Sequence, residues 1–258
     1  DATRHLSAVP PARDGHKDEH GQHGHSLPLL LVFFVCILAA VAGLISAGMH
    51  KAFFYAGCPL GVNGCNAFLG YEKKGFFLVR ALQEYQVPFE AVYVMTATVG
   101  AFVCGLILAY LPEDVAVHCR GGGSAQSLVA VAIGEHIPLA AAVMRVILTV
   151  TFLGSGGSLG GEGPTIQVCT AFTTLVGWYC GMRSHVTQSL LASLGFCCGF
   201  AASFNSPLAG ILFAMEELSH VSSRLSHNLI YMILIASVVS TAVSRGIMGN
   251  KTLFDPKF

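Results

Sequence analysis

The chain has 258 residues, of which 53% are hydrophobic and only 11% charged, and its mean hydropathy is +0.65. These values are far from those of an average soluble domain, so they exclude a soluble globular protein and predict an integral membrane protein. Fourteen Lys and Arg balance fourteen Asp and Glu, so no basic surface argues for nucleic acid as a partner.

The first 26 residues are polar and are predicted to form a disordered tail, because they cannot bury a core. They contain Pro10-Pro11 and five of the eleven histidines, His5, His16, His20, His23 and His25. Such a tail could bind a metal or sense pH, but it is otherwise featureless, so we predict neither a metal site nor a cofactor. No Met opens the chain and no signal-peptide pattern appears, so we expect a fragment or a processed product.

The membrane part begins with an apolar run of 23 residues, Leu27–Met49, long enough to span about 30 Å of hydrocarbon. Residues 50–90 are predicted to be a mixed loop, in which Cys58 and Cys65 would form a disulfide if the loop faces an oxidising compartment. A second span, Ala91–Leu111, ends at Pro112. The remaining cysteines lie mostly in apolar segments, where a thiol behaves as a small hydrophobic group.

Beyond Pro112 the apolar stretches are shorter and are separated by Gly, Pro, Asn or charged breaks. They cover residues 124–133, 138–153, 164–181, 187–204, 206–218 and 227–246. Short hydrophobic segments interrupted in this way predict broken helices that meet near the middle of the bilayer, as in many transporters. Lys and Arg show no clear bias between loops, so the orientation in the membrane is not predicted from charge.

One break carries a carboxylate, in the segment Gly160-Gly-Glu-Gly-Pro164. Pro is favoured in the first turn of a helix, so a helix is predicted to start at Gly163 or Pro164 and to point its free amides into the glycine segment. Ionised Glu162 could occupy this anion site and leave it when protonated, which would make it a gate. Alternatively, Glu162 only caps the helix end; a membrane setting favours the gate.

Three further features are less specific. Gly121-Gly-Gly-Ser124 could form a second anion nest or be a flexible connector. Ser206 and Pro207 predict the start of a helix that ends with Glu216 and Glu217, whose charges oppose the helix dipole. One of these glutamates would then handle protons, or both would simply be exposed at the membrane surface. Arg145, inside an apolar segment, either faces the protein interior, where it would add positive potential to an anion path, or snorkels to the interface.

Taken together, the two glycine segments and the motif that ends with Glu216 and Glu217 resemble the CLC family of chloride channels and chloride/proton exchangers. The resemblance covers roughly residues 27–250. Gly160–Pro164 is similar to the family segment Gly-Lys/Arg-Glu-Gly-Pro, which makes Glu162 the match to the gating glutamate and Gly161 the match to the basic residue. Phe204–Glu217 is similar almost residue for residue to the stretch that ends in the internal proton glutamate of the exchangers. The resemblance therefore implies that Glu217 transfers protons, and it leans toward exchange rather than a channel.

The first glycine segment departs from the family pattern Gly-Ser-Gly-Ile-Pro. Gly122 falls where the family has the serine that coordinates the anion, and Ala125 replaces Pro, so chloride or nitrate selectivity stays open. The residues proposed to contact the anion are Gly121, Gly122, Gly123, Ser124, Gly161 and Gly163.

The resemblance implies an all-α polytopic membrane protein with broken and tilted helices, the first inverted repeat of a CLC-type fold. We expect a His-rich tail over 1–26, a transmembrane half-domain over 27–250 and a truncated end over 251–258. Either the chain is a fragment, which we favour, or two half-length chains pair to supply the missing second half.

The implied function is transport of chloride or another small anion across a membrane whose identity is not predicted. The protein would be a voltage- or pH-gated channel or a chloride/proton exchanger, a homodimer whose interface includes residues 206–218 and 227–246. The alternative is a non-transporting membrane subunit or degenerate half-protein. An enzyme is not predicted, because no nucleophile or metal cluster lies beside Glu162 in the sequence.

Overall fold

The computed structural model describes residues 29–57, 89–155, 157, 159–221 and 227–249, and within these ranges every regular element is an α-helix. The helices are α1 Leu29–Gly57, α2 Phe89–Tyr110, α3 Glu113–Cys119, α4 Gly123–Ile133, α5 Leu139–Gly154, α6 Glu162–Tyr179, α7 His185–Ser203, α8 Pro207–Val221 and α9 His227–Met248. The His-rich tail, the Cys58–Cys65 loop and the end of the chain lie outside these ranges.

The predicted helical architecture is confirmed, with several changes at helix ends. Helix α1 continues to Gly57, so the loop expected from residue 50 begins later. Helix α3 was not predicted at all, because its seven residues include two acids and a histidine and carry no apolar run. Helix α8 continues four residues past Glu217, because Leu218–Val221 contains no helix breaker.

Helix α7 lies at the centre and packs along α6 through small residues. A methyl group added at Gly195 would lie 2.7 Å from the Cα atom of Thr170, and one at Gly199 would lie 2.8 Å from the Cα atom of Ile166. Such contacts let the two backbones approach closely, as in packed membrane helices. Helix α9 joins the other side of α7, where Cys197 Sγ lies 2.9 Å from Ser237 Oγ.

Three helices are long and apolar enough to cross a membrane, namely Leu29–Phe53, His185–Ser203 and Asn228–Met248. Large hydrophobic side chains on α1, α2 and α9 face outward; examples are Leu30, Phe33, Phe102 and Val238. An apolar outer surface of this extent fits contact with lipid rather than water.

The shorter apolar helices that follow Pro112 include Gly123–Ile133, Leu139–Gly154 and Pro207–Glu216. They agree with the prediction that several segments are too short to span alone.

Candidate functional site

The two glycine-rich segments meet where helices α4 and α6 begin. A methyl group added at Gly123 would overlap the backbone carbonyl of Gly163 and would lie 3.1 Å from the nitrogen of Pro164. In the reverse direction, a methyl group at Gly163 would lie 3.4 Å from the amide nitrogen of Gly123. Only two glycines allow backbones to come this close, so the two helix N-termini lie side by side.

The first turns of both helices expose backbone amides. Gly122 caps α4 and Gly161 caps α6, and neither can supply a capping side chain. The first hydrogen bonds within the helices run from Gln126 to Gly122 and from Thr165 to Gly161. In the described part of the chain, the amides of Gly123, Ser124 and Gly163 have no hydrogen-bond acceptor, so two positive helix ends converge on one place. This arrangement can bind an anion without a basic side chain.

Glu162 is the first residue of α6, one or two residues earlier than predicted, and its carboxylate folds back over the glycine segment. It is half-buried, and a methyl group added at Gly160 would lie 3.3 Å from its Cδ atom. Its oxygens make no hydrogen bond to any residue that the structure describes. The carboxylate therefore lies at the helix N-terminus without capping a particular amide.

Gly161 packs against the aromatic ring of Phe53, near the end of α1. A methyl group at Gly161 would lie 2.5 Å from Cδ2 and 2.9 Å from Cε2 of the ring. Any side chain here would have to displace Phe53. The ring was not singled out in the sequence, because nothing in an apolar run distinguishes a residue that touches a distant glycine.

Arg145 is buried, with 8% of its surface exposed, so it faces the protein interior and does not snorkel. Its guanidinium donates to the carbonyl of Gly121 at 2.6 Å, to the carbonyl of His118 at 2.9 Å and to Gln167 Oε1 at 2.9 Å. Carbonyl dipoles at the end of α3 thus face the charge, which is the favourable end of a helix for a cation. Gln167 was also missed, although a glutamine inside an apolar stretch is a usable signal.

Helix α8, in the motif Phe204–Glu217, starts where predicted. Ser206 Oγ accepts a hydrogen bond from the amide of Ala209 at 3.4 Å. Asn205 before it has a left-handed backbone, with φ +52°, and Arg245 of α9 donates to its side chain and its carbonyl at 2.7 and 2.6 Å. Glu216 on α8 is exposed, whereas the side chain of Glu217 lies outside the description. The structure therefore brings the two glycine segments together but does not place the Glu217 carboxylate.

Among the described residues, no three His, Cys, Asp or Glu side chains are grouped so that they could hold a metal ion.

Two comparisons relate the chain to known proteins. Residues 93–257 match the family model described as voltage gated chloride channel. The fold is similar to the crystal structure of a slow cyanobacterial Cl⁻/H⁺ antiporter, with a TM-score of 0.65 and 23% identity, covering 88% of this chain. The match covers 49% of the antiporter, so the chain spans about half the length of that protein.

Proposed function

The chain belongs to the voltage-gated chloride channel family, and we propose that it supplies one half of an anion transport pathway, with chloride as the principal substrate. Its role is to bind the anion between the N-termini of α4 and α6 and to let it pass when Glu162 moves away. The slow antiporter that shares the fold exchanges chloride for protons, and we propose the same exchange here.

The observation that carries this proposal is the convergence of two helix N-termini at Gly123 and Gly163. Each N-terminus carries the equivalent of about half a positive charge. In a water-poor site, the electrostatic attraction between fixed amides and an anion is only weakly screened. Amides still bind an anion less tightly than a lysine would, so the anion can be released. The amides of Gly122, Ser124 and Gly161 complete the proposed binding surface, with Gly121 in the turn that precedes it.

Glu162 is the proposed gate because it is the first residue of α6, next to the two helix N-termini between which the anion is proposed to bind. When ionised, the carboxylate would be attracted to the two positive helix ends and would compete there with chloride. When protonated, it loses its charge and its attraction to these ends, so chloride can replace it. Acidification therefore favours the open state.

Glu217 is the proposed internal proton acceptor, on the basis of the Phe204–Glu217 motif. Glu217 lies on α8, four residues before the helix ends at Val221. Proton entry at Glu217 and chloride displacement at Glu162 would couple the two fluxes in opposite directions.

The remaining half of the pathway would come from a second half-domain or a paired chain, and the assembled protein would be a homodimer.

The substitution Glu162→Gln tests the gate, because glutamine mimics the protonated carboxyl group without its charge. In liposomes that contain the complete natural gene product, we expect chloride flux at pH 7 to approach the wild-type flux at acidic pH, and its pH dependence to disappear. Glu113→Gln is the matched control, since Glu113 is exposed at the start of α3.

A variant with unaltered flux and pH dependence would show that Glu162 is not the gate. If the wild-type protein carries neither chloride nor nitrate, the alternative of a non-transporting subunit would be favoured.

A further inference from the structure

We propose that Arg145 and Gln167 are positioning residues: together they fix the peptide plane between Gly121 and Gly122, so that amide groups and not carbonyl oxygens face the bound anion. The inference rests on the proposed anion site. Neither residue contacts the anion in this proposal. They act on it through the turn that leads into α4.

The first step is the way the turn is held. Arg145 on α5 donates to the carbonyls of His118 and Gly121 at 2.9 and 2.6 Å, and more weakly to that of Arg120 at 3.5 Å. Gln167 on α6 donates to the same His118 carbonyl at 2.9 Å and accepts from Arg145 Nε at 2.9 Å. Two helices thus hold the backbone just before the first glycine segment.

The second step follows from the geometry of a trans peptide. The carbonyl and the amide of one peptide unit point in opposite directions. Because the Gly121 carbonyl points to the guanidinium, the amide of Gly122 points away from it. Gly121 has φ +74°, a conformation that glycine enters and leaves freely, so nothing in its own backbone prevents a flip of this peptide. A flip would turn a partial negative charge toward the anion.

The third step concerns Gln167, which is fully buried and lies in the second turn of α6. Helix α6 also carries Glu162 and touches Gly123 through Gly163. The two glycine segments are therefore joined twice, once by their backbones and once by the hydrogen bonds of Arg145 and Gln167. Loss of either side chain would leave the turn 118–121 attached to one helix only.

The planar fork of arginine, and not only its charge, is required for this role. A lysine would keep the positive charge, but its ammonium group cannot reach several acceptors in one plane. A purely electrostatic role would be preserved in Arg145→Lys, whereas the positioning role would be lost. This difference separates the two explanations.

The experiment measures chloride affinity by calorimetry and chloride flux in liposomes, using the complete natural gene product. The test variants are Arg145→Lys and Gln167→Met, the second of which leaves the arginine and its carbonyl contacts in place. The matched controls are Thr149→Val and Thr170→Val, each of which removes one buried hydroxyl on the same two helices that bonds only within its own helix. Melting temperatures in detergent report any change in stability.

We expect each test variant to raise the Kd for chloride about tenfold, the loss typical of one hydrogen bond to a charged group. The double variant should lose little more than either single variant, because both act on one turn. The controls should stay within about twofold of wild type at a comparable melting temperature. Wild-type affinity in Arg145→Lys or in Gln167→Met would overturn the positioning role.

Different results would refute the proposed function and the positioning role. If the wild-type protein itself binds no chloride and carries none, the anion site is absent and the positioning role falls with it. If wild type binds chloride and either test variant binds it equally well, only the positioning role is refuted.

Discussion

Gly123 has no room for a side chain, and the atoms that exclude one belong to the backbone of the neighbouring helix. A clash with the end of a flexible side chain can be relieved by a rotation, but a clash with a carbonyl requires the two helices to separate. The proposed anion site thus depends on the absence of a single methyl group.

We expect Gly123→Ala to destabilise the protein by about 1–3 kcal/mol, the usual cost of overpacking, and to weaken chloride binding because the two helix ends move apart. Gly105→Ala is the matched control, since a methyl group there would meet no atom within 4 Å. That control should be neutral or slightly stabilising, because alanine favours a helix more than glycine does. Thermal unfolding in detergent and chloride calorimetry measure the two effects; a Gly123→Ala protein as stable as the control would contradict the close contact.

Gly161 presents the opposite case, because the atoms closest to it belong to the ring of Phe53. We expect Gly161→Ala to be destabilising and Phe53→Leu to restore part of the lost stability in the double variant. The coupling energy should be at least about 0.5 kcal/mol, as found for residues in contact. Strictly additive melting shifts in the two single variants and the double variant would show that the ring does not limit this position.

Sequence reasoning reached the residues of the glycine segments but not their partners. The glycines and Glu162 are visible as a break in an apolar pattern. Arg145 is visible in the sequence only as a charged residue inside an apolar segment. Its side chain lies in the interior because it binds carbonyls at the end of α3, a helix that the sequence did not reveal. Phe53 and Gln167 are defined by contacts over long sequence separations, which no local pattern encodes.

At the scale of elements, the α6–α7 pair shows how a polar helix is buried. Four threonines of α6 are almost fully buried, and each hydroxyl donates to a backbone carbonyl; they are Thr165, Thr170, Thr173 and Thr174. All four hydroxyl groups thus have acceptors: Thr170 and Thr174 bond within α6, Thr165 bonds to the N-cap residue Gly161, and Thr173 also bonds to Leu191 of α7. Gly195 and Gly199 supply the matching flat surface on α7.

We expect Gly195→Ala to lower stability by about 1–3 kcal/mol, because the added methyl group would press on the backbone of Thr170 and on Thr173. In a protein of this size, each kcal/mol corresponds to a fall in Tm of about 2–4 °C. Gly48→Ala on α1, where nothing lies within 4 Å, controls for the change in helix propensity. Equal melting temperatures for the two variants would argue against tight α6–α7 packing.

The positions of most helices could be predicted, because apolar runs and Gly or Pro breaks mark them directly. Helix α2 agrees with the predicted span to within two residues at each end. Helix α3 was missed because a short helix with polar residues resembles a turn. The extension of α8 past Glu217 was missed because paired charges were taken as an end signal, although a helix stops only where its backbone is capped or broken.

At the scale of the whole molecule, the homodimer remains a prediction. Light scattering of the detergent-solubilised natural gene product should give the mass of two copies. A strictly monomeric protein that still transports chloride would show that the dimer is not needed for the pathway. A protein that transports only as a dimer of half-length chains would instead favour completion of the site by pairing.

The contact between α4 and α6 could not be deduced from residue patterns alone. Each apolar segment reports its length and its breaks, but the meeting of α4 and α6 is a tertiary contact between residues about 40 positions apart. The resemblance to a known family supplied that information. It did not supply the hydrogen bonds of Arg145, which only the structure shows.

The polarity of α6 also bears on how the protein is made. Among the described helices, α6 is long enough to cross a bilayer but is not among the three that are sufficiently apolar. Its threonines and Gln167 oppose its entry into lipid as an isolated helix. Helix α7 follows after a short turn and is apolar, so we expect the two to enter the membrane together as a hairpin. During biosynthesis, the helix that carries Glu162 would thus depend on the next segment to be translated, and truncation before α7 would leave it outside the bilayer.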